Sequence, residues 1–372
     1  MMLGTTRTTA WIGLGLLLAA LATEVRAAND ERASGAIDWE RVLADPGDLQ
    51  KQNDADRRSL EARLDEARDG LAKARAHLAL ANWWVAVPTA RPATRWLLKL
   101  ETATDRRSIA KAARAAEEQV DHARAILERA PSTGPEQADT KQQRRDLLQS
   151  ADTIAAFAAV LHEADLEPSD AAAKEKWRKA GRGLAVARES SDADTAAAAL
   201  LWQAFALNEG GNPERALEAL PAVLAKPEHM PYDLMSRLLR CRLIAEAGES
   251  AAATTLLSRV DATLRTWMDN QNQERNNARR LVGLVQRRIV EQWIDRLRAS
   301  TQPAAASLLE PLLKHVDRNF ADVKTPNVYY MATAMPLKVK TPEVPKKTSA
   351  DDSSADTRPG EPPARAASSG AE

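Results

Sequence analysis

"NEGGNPERALEAL" (208–220) decides how this chain folds. Gly210, Gly211, Asn212 and Pro213 interrupt an apolar helical run, and Ala216, Leu217 and Leu220 resume it at helical spacing. The stretch is a turn between two helices, and it recurs. Shifted by 37 residues, Leu201 falls on Leu238, Ala204 on Cys241, Leu207 on Ile244 and Gly211 on Gly248. Ala216 then falls on Ala253, Ala219 on Leu256, Leu220 on Leu257 and Val223 on Val260. Apolar, small and turn positions are shared while polar ones differ. A stacked helix–turn–helix unit requires that pattern: small residues where two helices cross, glycine at the end of the first, leucines toward the next unit.

Composition agrees with this reading. Of 372 residues, 44 % are hydrophobic but only 4 % aromatic, and alanine, the best helix former, supplies much of the apolar share. β-branched and aromatic runs of strand length are nearly absent. The class is all-α: stacked antiparallel helical hairpins, a long N-terminal hairpin and a disordered C-terminal tail. Lys+Arg and Asp+Glu are 52 each, so no global basic field points to nucleic acid.

The unit resembles the tetratricopeptide family. In that family a small residue lies three before a large apolar one, a glycine follows four later and an alanine five after that. Ala204, Leu207, Gly211 and Ala216 keep these steps, as do Cys241, Ile244, Gly248 and Ala253; Glu214, Leu220 and Leu257 also stand at sites the family uses. The departures are a spacing of 37 rather than about 34 residues, Gln203 and Arg240 at a leucine-like site, Pro221 inside the second helix, and Pro227 one residue early for the closing proline. A weaker third copy is "HLALANWWVAVPTARPATRWLL" (77–98), through Leu80, Ala81, Trp84, Ala93 and Leu97. The resemblance implies a scaffold or adaptor with no enzyme activity and no cofactor, binding a protein or peptide on the inner face of a short superhelix.

The N-terminus reads as an export signal. Arg7 precedes the apolar run "WIGLGLLLAALA" (11–22), and Val25 and Ala27 stand at small-residue cleavage positions. The run is shorter than the ~20 residues of a spanning helix, so no membrane span is expected after cleavage; an uncleaved anchor is the alternative. The mature chain is expected to be periplasmic or secreted. Its one cysteine, Cys241, forms no internal disulfide and reads as a small buried residue.

From the N-terminus, residues 1–27 are the signal and 28–133 a helical hairpin. A helix pair (134–190), the repeats (191–325) and a Pro/Ser/charged tail (326–372) follow. A short helix is expected over 37–48. In the hairpin, Leu60, Leu64, Ala67, Leu71, Ala74, Leu78 and Ala81 form one heptad seam, and Ile109, Ala113, Ala116, Val120, Ala123 and Leu127 the other. The first seam reads as one long helix, and 93–130, without Pro or Gly, as another. Further helices are expected over 139–165, 170–188, 192–209, 213–225, 231–247, 249–269, 273–299 and 303–318. An envelope-associated structural protein that oligomerises through the N-terminal helices is the second reading.

Catalytic motifs are absent from the sequence: no HExxH, CxxC, GxSxG or phosphate-cradling glycine loop occurs, and the histidines at 77, 122, 162, 229 and 315 show no metal-ligand spacing. Trp83 and Trp84 point to different sides of a helix, and one of them left exposed would anchor a partner. Trp202, Trp267 and Trp293 lie on apolar runs and read as core. Arg280, Arg287 and Arg298 fall within about 20° of one another on helix 273–299, a basic stripe suited to an acidic partner.

Overall fold

The computed structural model describes residues 47–129, 138–165, 170–221, 232–267, 273–300 and 303–320; the export segment, the 37–46 stretch and the tail lie outside them. Every regular element among the described residues is helical. In chain order they are α1 (Gly47–Glu66), α2 (Gly70–Ala86), α3 (Ala90–Leu97), α4 (Ala103–Glu128) and α5 (Ala138–His162), which ends in a short 3-10 turn (Glu163–Asp165). Next come α6 (Ala171–Gly183), α7 (Ala185–Arg188), α8 (Ala193–Glu209), α9 (Pro213–Ala219) and α10 (Tyr232–Glu246). The last are α11 (Ser250–Trp267), α12 (Gln273–Ala299) and α13 (Pro303–Asn319).

Neighbours in sequence are neighbours in space. α2 packs on α4, α4 on α5, α5 on α6 and α6 on α8; α8 meets α9 and α10, α10 meets α11 and α12, and α12 carries α13. One apolar core runs through the stack from Ala74 to Phe320, and a smaller one joins α12 and α13 through Val290, Ile294, Ala306, Leu309 and Leu312.

Local chemistry cuts several helices shorter than hydrophobic spacing alone suggests. The first seam is not one helix: the chain leaves helical structure at 67–69, where the Asp69 side chain accepts the Ala72 N–H at 2.7 Å and starts α2 afresh. The 93–130 run is likewise broken, between α3 and α4. Thr102 accepts the Asp105 N–H while Asp105 accepts the Thr102 N–H, a reciprocal cap that opens α4. On the other side Lys99, at φ 54, lets the Leu100 N–H reach back to the Arg95 carbonyl and the Lys99 N–H to that of Trp96. The 170–188 run divides at Leu184. The second helix of the first repeat ends at Ala219, because Pro221 offers no N–H and holds Leu220 extended (φ −87, ψ 136).

The unit that opened the sequence recurs in the backbone, bond for bond. α8 ends at Glu209 and α10 at Glu246, and α9 begins at Pro213 and α11 at Ser250, each 37 apart. Gly211 (φ 81) and Gly248 (φ 100) take the left-handed conformation that closes the first helix. Asn212 N–H bonds the Leu207 carbonyl and Gly211 N–H that of Asn208; Glu249 bonds Ile244 and Gly248 bonds Ala245 in the same way. The second helix opens alike, with Ala216 N–H on Asn212 O and Ala253 N–H on Glu249 O, both at 3.1 Å.

A third unit keeps the same frame at a shift of 123, since α2 and α8 both have 17 residues, beginning at Gly70 and Ala193. Asp69 and Asp192 cap them through the Ala72 and Thr195 N–H groups, and Val87 N–H on Trp83 O matches Gly210 N–H on Ala206 O. Ala93 N–H on Thr89 O completes the match. Ala81, Ala204 and Cys241 are fully buried, as are Ala93, Ala216 and Ala253, and Leu97, Leu220 and Leu257 are buried beside them.

Candidate functional site

The first helices of these units have little free surface. On α8 and α10, positions 201 and 204, and 238 and 241, share one face; positions 202, 205 and 209, and 239, 242 and 246, lie on the adjoining face, about 100° further round the helix. The chain's own α3–α4 corner covers that adjoining face. Trp96 packs there with its ring centre 4.9 Å from Phe205, 5.4 Å from Trp177 and 5.9 Å from Trp202, and all four rings are buried.

A charge-balanced knot fastens the corner. Arg242, buried on α10, donates from Nη1 to the Leu97 carbonyl and from Nε to Glu246 at 2.9 Å, and its Nη2 stands 3.5 Å from Glu209. Lys99 Nζ joins Glu246 at 2.9 Å. Glu209 and Glu246, 37 residues apart, each end a first helix, where the helix dipole disfavours a carboxylate; one guanidinium offsets both. Arg95 donates to both Asp105 oxygens, and Arg106 Nε donates to the Ala164 carbonyl at 2.8 Å. Burial and the nearby Glu209 raise the Glu101 carboxyl above its ordinary value, against Arg106 and Arg242. Burial also acts to raise Asp105, but the bonds from Arg95 and Thr102 outweigh it and hold that carboxyl below the usual range.

Of the repeat residues named from sequence, Ala204, Ala216, Leu220, Cys241, Ala253 and Leu257 sit in this core, Leu207 and Ile244 are half-buried at the turn end, and Gly211 and Gly248 are exposed in the turns. The two departures from the leucine-like site have a common role. Gln203 Nε2 reaches the Gly181 carbonyl of α6 at 3.3 Å, and Arg240 Nη1 donates to the carbonyls of Leu217 and Leu220 at 2.5 and 2.8 Å. Gln203 ties α8 to the last turn of α6 and Arg240 ties α10 to the end of α9, where it serves the Leu217 carbonyl that Pro221 leaves without an amide. Cys241 is buried, and burial pushes its thiol up to about 12, so no thiolate forms at neutral pH.

Neither member of the tryptophan pair stands out from the surface. Trp83 is 8 % exposed, and Trp84 is half-buried against it, edge to face at 4.9 Å, with the Arg57 guanidinium 6.0 Å from its ring. Trp293 is half-buried on the α12–α13 core, and the Trp267 side chain lies outside the described residues. Trp202 is enclosed as expected, and so are Trp96 and Trp177, which periodicity did not single out. Their signal was weak because each is a lone aromatic among alanines and charges.

The basic stripe is not a free face. Arg280 is 6 % exposed, and burial lowers its guanidinium below the ordinary value. Arg287 bonds Glu291 and, across to α13, Asp317, both at 2.8 Å. Arg298 meets Glu310 of α13 at 3.2 Å. Beside them Arg279, 1 % exposed, donates from Nε to buried Asp261 at 2.7 Å, and Arg265 and Asn319 bond the other Asp261 oxygen. These arginines hold α11, α12 and α13 together.

Among the described residues no three His, Cys, Asp or Glu side chains gather to hold a metal ion, and no helix is long and apolar enough to cross a membrane. Two of the scattered histidines nevertheless meet: the ring centres of His77 on α2 and His122 on α4 are 5.3 Å apart. In comparisons with known proteins, the chain matches no family model, no curated protein and no solved structure.

Proposed function

We propose that this chain is an exported, non-enzymatic scaffold of tetratricopeptide-like units that binds a protein partner. The observation that carries the reading is the recurrence of one helix–turn–helix frame three times, with the same bond closing the first helix, the same bond opening the second and the same buried small residues, while the left-handed glycine turn is shared by the two units at 193–220 and 232–267. Repeating one packing unit extends a surface without building a catalytic pocket. The α3–α4 corner occupies the face of α8 and α10 that a peptide groove would use, so the partner docks on the outer helices or the ends of the stack. Full-length protein, exported and immobilised, should retain a stoichiometric protein partner from the envelope fraction. Recovery of no partner, together with turnover of a small-molecule substrate, would overturn the reading.

A second reading is supported by α1, which packs substantially on α2 alone and leaves Leu60 and Leu64 half-buried. A face of this kind suits a second copy of the chain. Light scattering separates the two: a monomer supports the adaptor, and a dimer that dissociates with Leu60→Glu/Leu64→Glu supports the envelope-associated oligomer.

A further inference from the structure

His77 and His122 belong to antiparallel helices whose spacing is fixed beneath them. Ala74, Leu78 and Ala81 of α2 and Ala116, Val120 and Ala123 of α4 are all fully buried or nearly so, and the alanines hold the backbones close. On this support the two imidazole rings lie with centres 5.3 Å apart and planes inclined by 35°. Two imidazoles bound to one tetrahedral metal through nitrogens at about 2.0–2.1 Å place their ring centres about 5 Å apart.

The neighbouring side chain sets the tautomer. Gln119, one helical turn before His122, brings Oε1 to 2.8 Å from His77 Nδ1. An amide oxygen only accepts, so the proton is on Nδ1 and the lone pair is left on Nε2. A metal-binding histidine usually has this arrangement, with one nitrogen held by an oxygen acceptor and the other available to the ion. His122 is exposed, so water can reach the pair and fill the remaining coordination positions.

We propose that His77 and His122 form a site for a first-row divalent transition metal, oriented by Gln119 and clipping α2 to α4. Two nitrogens and no carboxylate cage suit Zn2+, Ni2+ or Cu2+ and do not suit Ca2+ or Mg2+. The Lys73 ammonium, one turn before His77 and close enough to act on it, opposes a cation and weakens the site. The site requires no third protein ligand.

The test titrates full-length protein with ZnCl2, in a buffer that does not chelate, after stripping with EDTA. One equivalent should bind per chain, and saturating metal should raise the thermal midpoint by about 5 °C. His122→Ala, a change at an exposed position, should abolish both effects while leaving the metal-free midpoint in place. His77→Ala should abolish binding too. Gln119→Ala keeps both imidazoles, so a loss of about tenfold in affinity there reports the positioning bond rather than the ligands. His162→Ala, whose ring pairs with Glu117 at 3.0 Å, should change nothing. The proposal falls if wild-type protein shows no saturable binding, or if binding and the midpoint shift survive in His122→Ala.

Discussion

Ala216 and Ala253 are the most exacting residues of the repeat. Each is fully buried on a second helix, 37 apart, and each donates the bond that opens its helix. Nothing longer than a methyl has room there, and overpacking a tight contact costs about 1–3 kcal/mol. Ala216→Leu and Ala253→Leu should each lower stability by that order in urea denaturation, whereas Ala172→Leu, on an exposed position of α6, should be tolerated. Equal tolerance at all three would remove the packing argument for the repeat. Arg240 gives a second check at this scale. Restoring the leucine that the repeat pattern would place there removes the donor to the Leu217 and Leu220 carbonyls. Leaving such acceptors unmet costs about 1–3 kcal/mol, so Arg240→Leu should destabilise although it looks like a return to pattern. What sequence could not show at this scale is the partner of a charge. Arg287 and Arg298 line up on their own helix, but the carboxylates that occupy them, Asp317 and Glu310, arrive from α13. Helix periodicity has no access to that pairing.

At the scale of elements, the turns were the most legible part of the chain. Gly211 and Gly248 announced themselves as helix ends because each changes what the backbone itself can do, whereas Pro221, read as lying inside a 213–225 helix, ends that helix at Ala219. The interruptions at Ala67–Asp69 and Leu98–Thr102 were missed, because the apolar spacing continues through them while side-chain caps start a new helix. "TATD" (102–105) carries a capping pattern, and that was the available signal. The α3–α4 corner also makes a pH prediction with two opposite signs. Asp105 has its folded value below the ordinary one, so its contribution is present above the ordinary carboxylate range and is lost as pH falls through the folded value. Asp105→Asn should therefore destabilise at pH 7, and the gap from wild type should close on acidification. Glu101 is raised, chiefly by burial, so its ionised form is a cost at pH 7 that protonation relieves as pH falls. Glu101→Gln should match or exceed wild-type stability at pH 7 and lose that advantage in acid. Denaturation midpoints of the two variants between pH 3 and 7 should move in opposite senses relative to wild type, and parallel movement would refute the assignment.

For the whole molecule, the question is whether the stack unfolds unit by unit or at once. A pure array couples only nearest neighbours, so it can fray from either end. Here α3, in the unit spanning 70–97, reaches past α4 and α5 to seat Trp96 between Trp177 and Trp202 and to present the Leu97 carbonyl to Arg242. That contact joins units far apart in sequence through one closed core, and it is where the expected open inner face is lost. The hydrophobic pattern of α8 hinted at this closure, since a helix apolar on nearly all sides must be covered on all sides. The identity of the cover was not legible, because α3 is a segment of eight residues that carries two Arg and a Pro beside its one Trp. Arg242 is the test of the coupling. Removing one partner of a buried charge pair costs about 3–5 kcal/mol, the upper part of the range applying where the charges left behind cannot reach water. Glu209 and Glu246 keep some access to solvent, so Arg242→Met should cost about 3 kcal/mol, and adding Glu209→Gln should recover part of it. In wild type the tryptophan fluorescence and far-ultraviolet dichroism transitions should coincide, because the Trp96 cluster and the helices melt together. In Arg242→Met the fluorescence transition should come first, as the corner leaves the core while α10 and α11 remain folded. If the two transitions stay coincident and the midpoint is unchanged, the corner is not the fastener of the stack.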